Sequence, residues 1–314
     1  MSWLTLQSAF GFFALIGIAW LLSEDRRAIP WRIVVSGVVL QALLAVLLLK
    51  VPLFKSFFFI LNDGLLALER ATQAGTSFVF GYLGGGAPPF QEVPQRSSFI
   101  LAFRALPLIL VVSALSSLLF YWRVLPAIVR AVATVLEKTM GVGGAVGLSA
   151  AANIFVGMVE APLFVRPYLR EMSRGELFIV MTGGMAGIAG TVMVLYASIL
   201  GPVVPGAMGH ILSASIISAP AAILVAAVMV PPRGTPTSGR LLPPQQATSS
   251  MDAVTRGTLD GLQLLLNIIA MLIVLIALVT LVNLALGTLP EWGGAKFTLQ
   301  RLLGYVMAPV VWLA

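Results

Sequence analysis

Long apolar runs separated by short polar breaks dominate the chain, and the run lengths predict its elements. A helix needs about 20 mostly apolar residues to cross a bilayer. Residues 3–22, 31–49, 99–121, 178–200, 208–230 and 260–286 are such runs, and a last apolar stretch covers 302–314. Residues 51–81 follow another pattern. Apolar positions recur at helical spacing there, but Lys55, Asp63, Glu69 and Arg70 interrupt them. That pattern predicts an amphipathic helix lying at the membrane interface. Gly84-Gly85-Gly86-Ala87-Pro88-Pro89 ends it. A more polar helix is predicted around Arg123, Arg130, Glu137 and Lys138.

Composition sharpens the picture. Of 314 residues, 59% are hydrophobic and 10% charged, against about 25% charged in soluble domains. This mixture cannot cover a water-soluble surface. The net charge of +7 does not indicate nucleic acid, because the basic residues lie scattered through short loops, as topology determinants do. Placing Arg26, Arg27 and Arg32 on the cytoplasmic side also places Arg123, Arg130, Lys138, Arg166, Arg170 and Arg174 there. Both ends of residues 141–165 then lie on one side, so that segment is predicted to enter the membrane and return. Arg233, Arg240 and Arg256 also fall inside, while Lys50, Lys55, Arg70 and Arg96 fall outside. The expected fold class is an all-α integral membrane protein with multiple transmembrane helices, an interfacial amphipathic helix and a re-entrant helical hairpin. The expected domains are 1–122 (scaffold-like helices), 123–230 (hairpin and following helices, the transport core), 231–256 (a flexible cytoplasmic linker rich in Pro, Gly, Ser and Gln) and 257–314 (a spanning helix and the start of a further apolar segment).

The chemistry concentrates in Asn153-Ile154-Phe155-Val156-Gly157-Met158-Val159-Glu160-Ala161-Pro162. A re-entrant tip leaves backbone groups unpaired, which is tolerated only beside protein or a water-filled cavity. Broken helices at membrane depth are the usual ligand sites of secondary transporters. Glu160 is an acid within an apolar stretch, a costly placement that points to function. Gly157 permits close approach and Pro162 removes a backbone donor. The plainer alternative is a simple spanning helix with Glu160 near its end, snorkelling or paired with Arg166. Residues 181–191 carry many glycines, suited to close packing. Asn267 and Asn283 read as groups bonding between helices, and His210 as a solvated interfacial histidine. With no cysteine and a single histidine, no thiolate or histidine metal site can form. Phosphate loops, zinc-binding His pairs and nucleophile elbows are absent from the sequence, so neither an ATP-driven pump nor an enzyme is expected.

The stretch Asn153–Leu163 resembles the first-hairpin motif of the concentrative nucleoside transporters, which reads Asn-Ile-Phe-Val-Gly-Gln-Thr-Glu-Ala-Pro-Leu. Met181-Thr182-Gly183-Gly184, Ala189-Gly190, His210–Ser215 and Ser218-Ala219-Pro220 are similar as well. So are Phe78–Gly81, Ile100–Phe103 with Leu106-Pro107, and Leu299-Gln300 with Leu303-Gly304-Tyr305. The resemblance covers almost the whole chain. It implies import of nucleosides or related compounds by symport with Na⁺ or H⁺, through a homotrimer in the bacterial inner membrane. By motif, Gly157, Met158, Val159, Glu160 and Val192 would bind substrate. Asn153, Val156, Gly187 and Ile188 would hold the cation, and Na⁺ is the metal ion that position implies.

Three departures from the pattern carry expectations of their own. Met158 and Val159 stand where the family has Gln and Thr, so the base edge would lose hydrogen-bonding partners. Gly187 stands where the family has a hydroxyl, which favours Glu160 as a proton carrier. The sequence reaches Ala314 in mid-apolar run, whereas the family continues into a second hairpin that completes the sugar site. The alternative expectation is therefore a non-transporting, split or truncated membrane subunit.

Overall fold

A computed structural model describes residues 3–90, 99–155, 161, 165–201, 203–239, 247–288 and 297–313. These residues form twelve α-helices and two short 3-10 turns, among the described residues. Four stretches among them are long and apolar enough to cross a membrane: Trp31–Lys50, Leu101–Tyr121, Ala207–Met229 and Ser250–Leu286. The protein is thus an all-helical membrane protein with several spanning helices. The chain divides into two compact units, Met1–Ser23 with Leu266–Ala314, and Glu24–Leu265.

In the first unit, α1 (Trp3–Leu21) is tied to α12 (Leu299–Leu313) by Gln7 Nε2, which donates to the Trp312 carbonyl at 2.6 Å. The distal part of α11 (Ser250–Leu286) carries Asn283. Its Oδ1 accepts the Leu299 N–H at 2.7 Å, and its Nδ2 donates to Gln300 Oε1 at 3.0 Å. Asn283 therefore caps α12, a bond between helices as its place in an apolar run predicted. Asn267 makes no such link among the described contacts and is exposed.

The second unit holds α2 to α10 and the start of α11. Helix α2 (Trp31–Lys50) buries Ile33, Gly37 and Leu40 on one side and exposes Val35, Val39, Leu43 and Val46 on the other. A helix apolar on both faces suits lipid on its outer side. Its inner side packs on α10 (Ala207–Met229), where a Cβ at Gly37 would lie 2.9 Å from Leu224 Cδ1. Small residues permit that approach, since packing rather than water exclusion joins helices in lipid. The amphipathic stretch forms one 29-residue helix, α3 (Pro52–Phe80). It buries Leu65 against Met193, Ala197, Met208 and Leu212.

The run expected over 99–121 is divided into α4 (Leu101–Arg104) and α5 (Leu108–Tyr121). Pro107, which has no N–H to give the helical ladder, stands at the junction. Helix α11 starts at Ser250, ten residues ahead of the apolar run at 260. Ser249 Oγ accepts the Asp252 N–H at 3.1 Å, and Asp252 pairs with Arg256 at 2.8 Å. These polar residues extend the helix beyond what hydropathy alone reveals.

Helix α6 (Val124–Met140) buries Leu125, Val129, Ala133, Leu136 and Met140 at spacings of three and four. Gly141 ends it in the left-handed region at φ 68°. Helix α7 (Gly144–Phe155) lies at the centre of the unit, with every residue from Gly144 to Ile154 buried. One face packs with α2, α6, α8 (Arg174–Ala186) and α10, and another with α6 and α8.

Residues on either side of the predicted hairpin lie together. The Ala145 N–H approaches the Thr237 carbonyl at 3.4 Å, and Thr237 Oγ1 reaches the Glu171 carbonyl at 3.3 Å. Ala161 and Val165 pack in the same cluster as Ala145, Leu148, Ala151 and Ala152. The base is fastened by Glu176, which is 4% exposed. Its carboxylate accepts from the N–H and hydroxyl of Ser173 at 2.9 and 3.0 Å, and from the N–H and hydroxyl of Thr237, both at 2.9 Å. Four donors offset the burial of one charge. Thr237 belongs to the stretch read as a flexible linker, yet this carboxylate pins it. Nearby, Arg174 pairs with Glu24 and Arg233 with Asp25, each at 2.6 Å. These pairs are exposed and contribute little. The Arg27 N–H, followed by Arg233, holds the Asp25 carboxyl below the ordinary carboxylate range.

Candidate functional site

The apolar run 178–200 does not form one helix. It breaks at Gly187-Ile188-Ala189, between α8, which ends at Ala186, and α9 (Gly190–Leu200). This corrects the single span expected there. The run is apolar on both sides of the break, so periodicity does not register it. Gly187 and Ala189 are extended, with ψ of 163° and 140°. Glycines lower the cost of leaving the helix.

The end of α7 fills the break. Asn153, 5% exposed, donates from Nδ2 to the Gly183 carbonyl at 2.7 Å. Gly183 is among the last four residues of α8, whose carbonyls lack intrahelical partners. Asn153 Oδ1 is fully buried and meets no donor among the described residues. A Cβ on Gly187 would collide with Asn153 Nδ2, so the missing side chain is what admits the amide. A Cβ on Gly190 would collide with the Phe155 carbonyl. Ile188 is half-buried and packs on the cluster around Leu65, Met193 and Met208. Val192 is half-buried in the first turn of α9.

The electrostatics follow from these placements. Helix α8 ends here, and its C-terminus carries partial negative charge on free carbonyls. A buried amide oxygen without a donor adds to them. Leaving such an acceptor unsatisfied costs about 1–3 kcal/mol, so a donor or a cation beside it is favourable. Among the described residues its acceptors are neutral oxygens, which suit a singly charged cation at a break in a helix.

Of the predicted cation residues, the structure brings Asn153, Gly187 and Ile188 together. Val156, and the substrate residues Gly157, Met158, Val159 and Glu160, lie outside the described residues, as does Pro162. His210 is exposed in the first turn of α10. Sequence reasoning missed the Gly183 carbonyl, the seat of Phe155 on Gly190, and the Glu176–Thr237 fastening. Only the last had a sequence signal. Ser173-Arg174-Gly175-Glu176 is a capping box, which also sets the start of α8 four residues before 178.

A buried helix set against the break of a neighbouring helix is an arrangement that secondary transporters of the broken-helix class use. Comparison with known proteins identifies which kind. Residues 10–83 match the family described as Na+ dependent nucleoside transporter N-terminus, 102–203 that described as nucleoside recognition, and 210–314 that described as Na+ dependent nucleoside transporter C-terminus. An uncharacterized transporter of Haemophilus influenzae is 37% identical over 98% of this chain and 72% of its own length. Nucleoside permease NupC of Helicobacter pylori is 35% identical over 89% of this chain and 65% of its own. A solved structure of CNTnw in an inward-facing substrate-bound state is 34% identical, covers 99% of this chain and 73% of that one, and superposes with a TM-score of 0.88. The chain belongs to the concentrative nucleoside transporter family, a family of Na⁺-coupled membrane transporters and not of enzymes.

Proposed function

We propose that this chain takes part in Na⁺-coupled import of nucleosides or related compounds across the bacterial inner membrane. The observation that carries the reading is Asn153. Its buried Oδ1, which meets no donor among the described residues, lies beside the break that ends α8. In this reading Asn153, Val156, Gly187 and Ile188 bind the cation, with backbone carbonyls replacing the absent hydroxyl at Gly187. Gly157, Met158, Val159, Glu160 and Val192 face the substrate. Met158 and Val159 offer a base no hydrogen bonds, so the preferred substrate has a less polar base edge. Residues 123–230 form the transport core, 1–122 its scaffold, and the working assembly is a homotrimer. Coupling requires that cation and substrate stabilise the same state.

The test is calorimetric binding of uridine and of apolar-substituted nucleosides to the purified chain, in NaCl and in choline chloride. We expect Na⁺ to tighten binding, and Glu160→Gln to weaken it at least about tenfold through loss of a charged hydrogen-bond partner. Equal binding in both salts would contradict Na⁺ coupling.

A further inference from the structure

We propose that Gly190 is a positioning residue: it is the seat that fixes the end of α7, and with it Asn153, against the broken helix. The inference rests on the cation reading above and names a residue outside the cation and substrate sets.

Three observations carry it. First, the Cβ that any other residue would add at 190 meets backbone, the carbonyl of Phe155, and not the movable tip of a side chain. The obstruction could be relieved only by shifting the end of α7 or the start of α9. Second, the contact lies two residues beyond Asn153 on the same helix. The Asn153 amide is held at its other end by the Gly183 carbonyl, across the break. A displacement at Phe155 is therefore passed directly to the amide oxygen offered to the cation. Third, the polarity matches. Gly190 opens α9, whose first N–H groups have no intrahelical acceptor, and the group it faces is a carbonyl, that of Phe155. The positive end of α9 receives a carbonyl oxygen, and a Cβ at 190 would obstruct the approach.

Glycine is not needed at 190 for backbone conformation. Gly190 lies in a helix, and its φ is outside the left-handed range. Alanine is the better helix former. Gly190→Ala would therefore favour α9 itself while obstructing the seat, which separates a positioning role from ordinary helix propensity.

The experiment uses the full chain in detergent. Hydrogen–deuterium exchange is followed in peptides covering 150–155, and thermal unfolding is titrated with NaCl against choline chloride. Gly37→Ala is the control, because its Cβ would crowd Leu224 between α2 and α10, in packing unrelated to the break. For Gly190→Ala, exchange at 150–155 should quicken locally, and the half-saturating Na⁺ concentration should rise at least about tenfold, as when a supporting contact of an ion site is lost. Gly37→Ala should change neither. Should the wild type show no Na⁺ response, the coupling reading falls, and faster exchange confined to 150–155 in Gly190→Ala still upholds the seat. Unchanged exchange at 150–155, or loosening spread evenly over the core as in a general destabilisation, would overturn it.

Discussion

At the scale of single residues, the site depends on what Asn153 does with its two ends. Nδ2 is spent on the Gly183 carbonyl, and Oδ1 meets no donor among the described residues. Asn153→Ala removes both and should abolish Na⁺-dependent thermal stabilisation. The same change frees the unfolded chain of nothing and leaves the Gly183 carbonyl without its donor, a cost of about 1–3 kcal/mol. Melting in NaCl and choline chloride checks both, and a variant that still responds to Na⁺ would place the cation elsewhere. Asn153 was legible in the sequence through the motif it shares with the concentrative nucleoside transporters. Gly190 was not. A glycine among glycines carries no pattern, and its meaning is the carbonyl it faces across the fold. The Gly183 carbonyl was equally hidden, since backbone acceptors belong to every residue and only helix ends free them.

At the scale of elements, run length located the spanning helices, and the scatter of basic residues predicted a segment that enters and returns. Both follow from hydropathy and charge, which act along the chain. Breaks were harder to read. Residues 178–200 are uniformly apolar, so nothing local distinguishes one helix from two. The break is stabilised by α7, more than 30 residues earlier in the chain, whose end supplies Asn153 and Phe155. Polar extension was also invisible to hydropathy, as with the first turns of α11. Their packing is nevertheless tight. A Cβ on Gly257 would lie 2.6 Å from both the Ser113 carbonyl and Ser117 Cβ of α5, and Gly261 meets Ser113 Cβ at 2.9 Å. Gly257→Leu should therefore separate α11 from α5 and destabilise the protein by about 1–3 kcal/mol, as overpacking does. Thermal melts in detergent check this. A melting temperature equal to wild type would mean that the two helices do not pack as described.

At the scale of the whole molecule, a buried helix packs against the break of its neighbour, and Thr237 joins the start of that helix to Glu176. That arrangement brings the C-terminal end of α8 beside a buried amide oxygen that meets no donor among the described residues. Its central claim is that Na⁺ occupies this place and couples to a nucleoside. The most direct test is uptake of labelled nucleosides by the purified chain in proteoliposomes, with Na⁺ and H⁺ gradients imposed separately. The account predicts concentrative uptake under the Na⁺ gradient, lost in Asn153→Ala. Uptake driven by the H⁺ gradient alone, or no uptake by folded protein under either gradient, would contradict it.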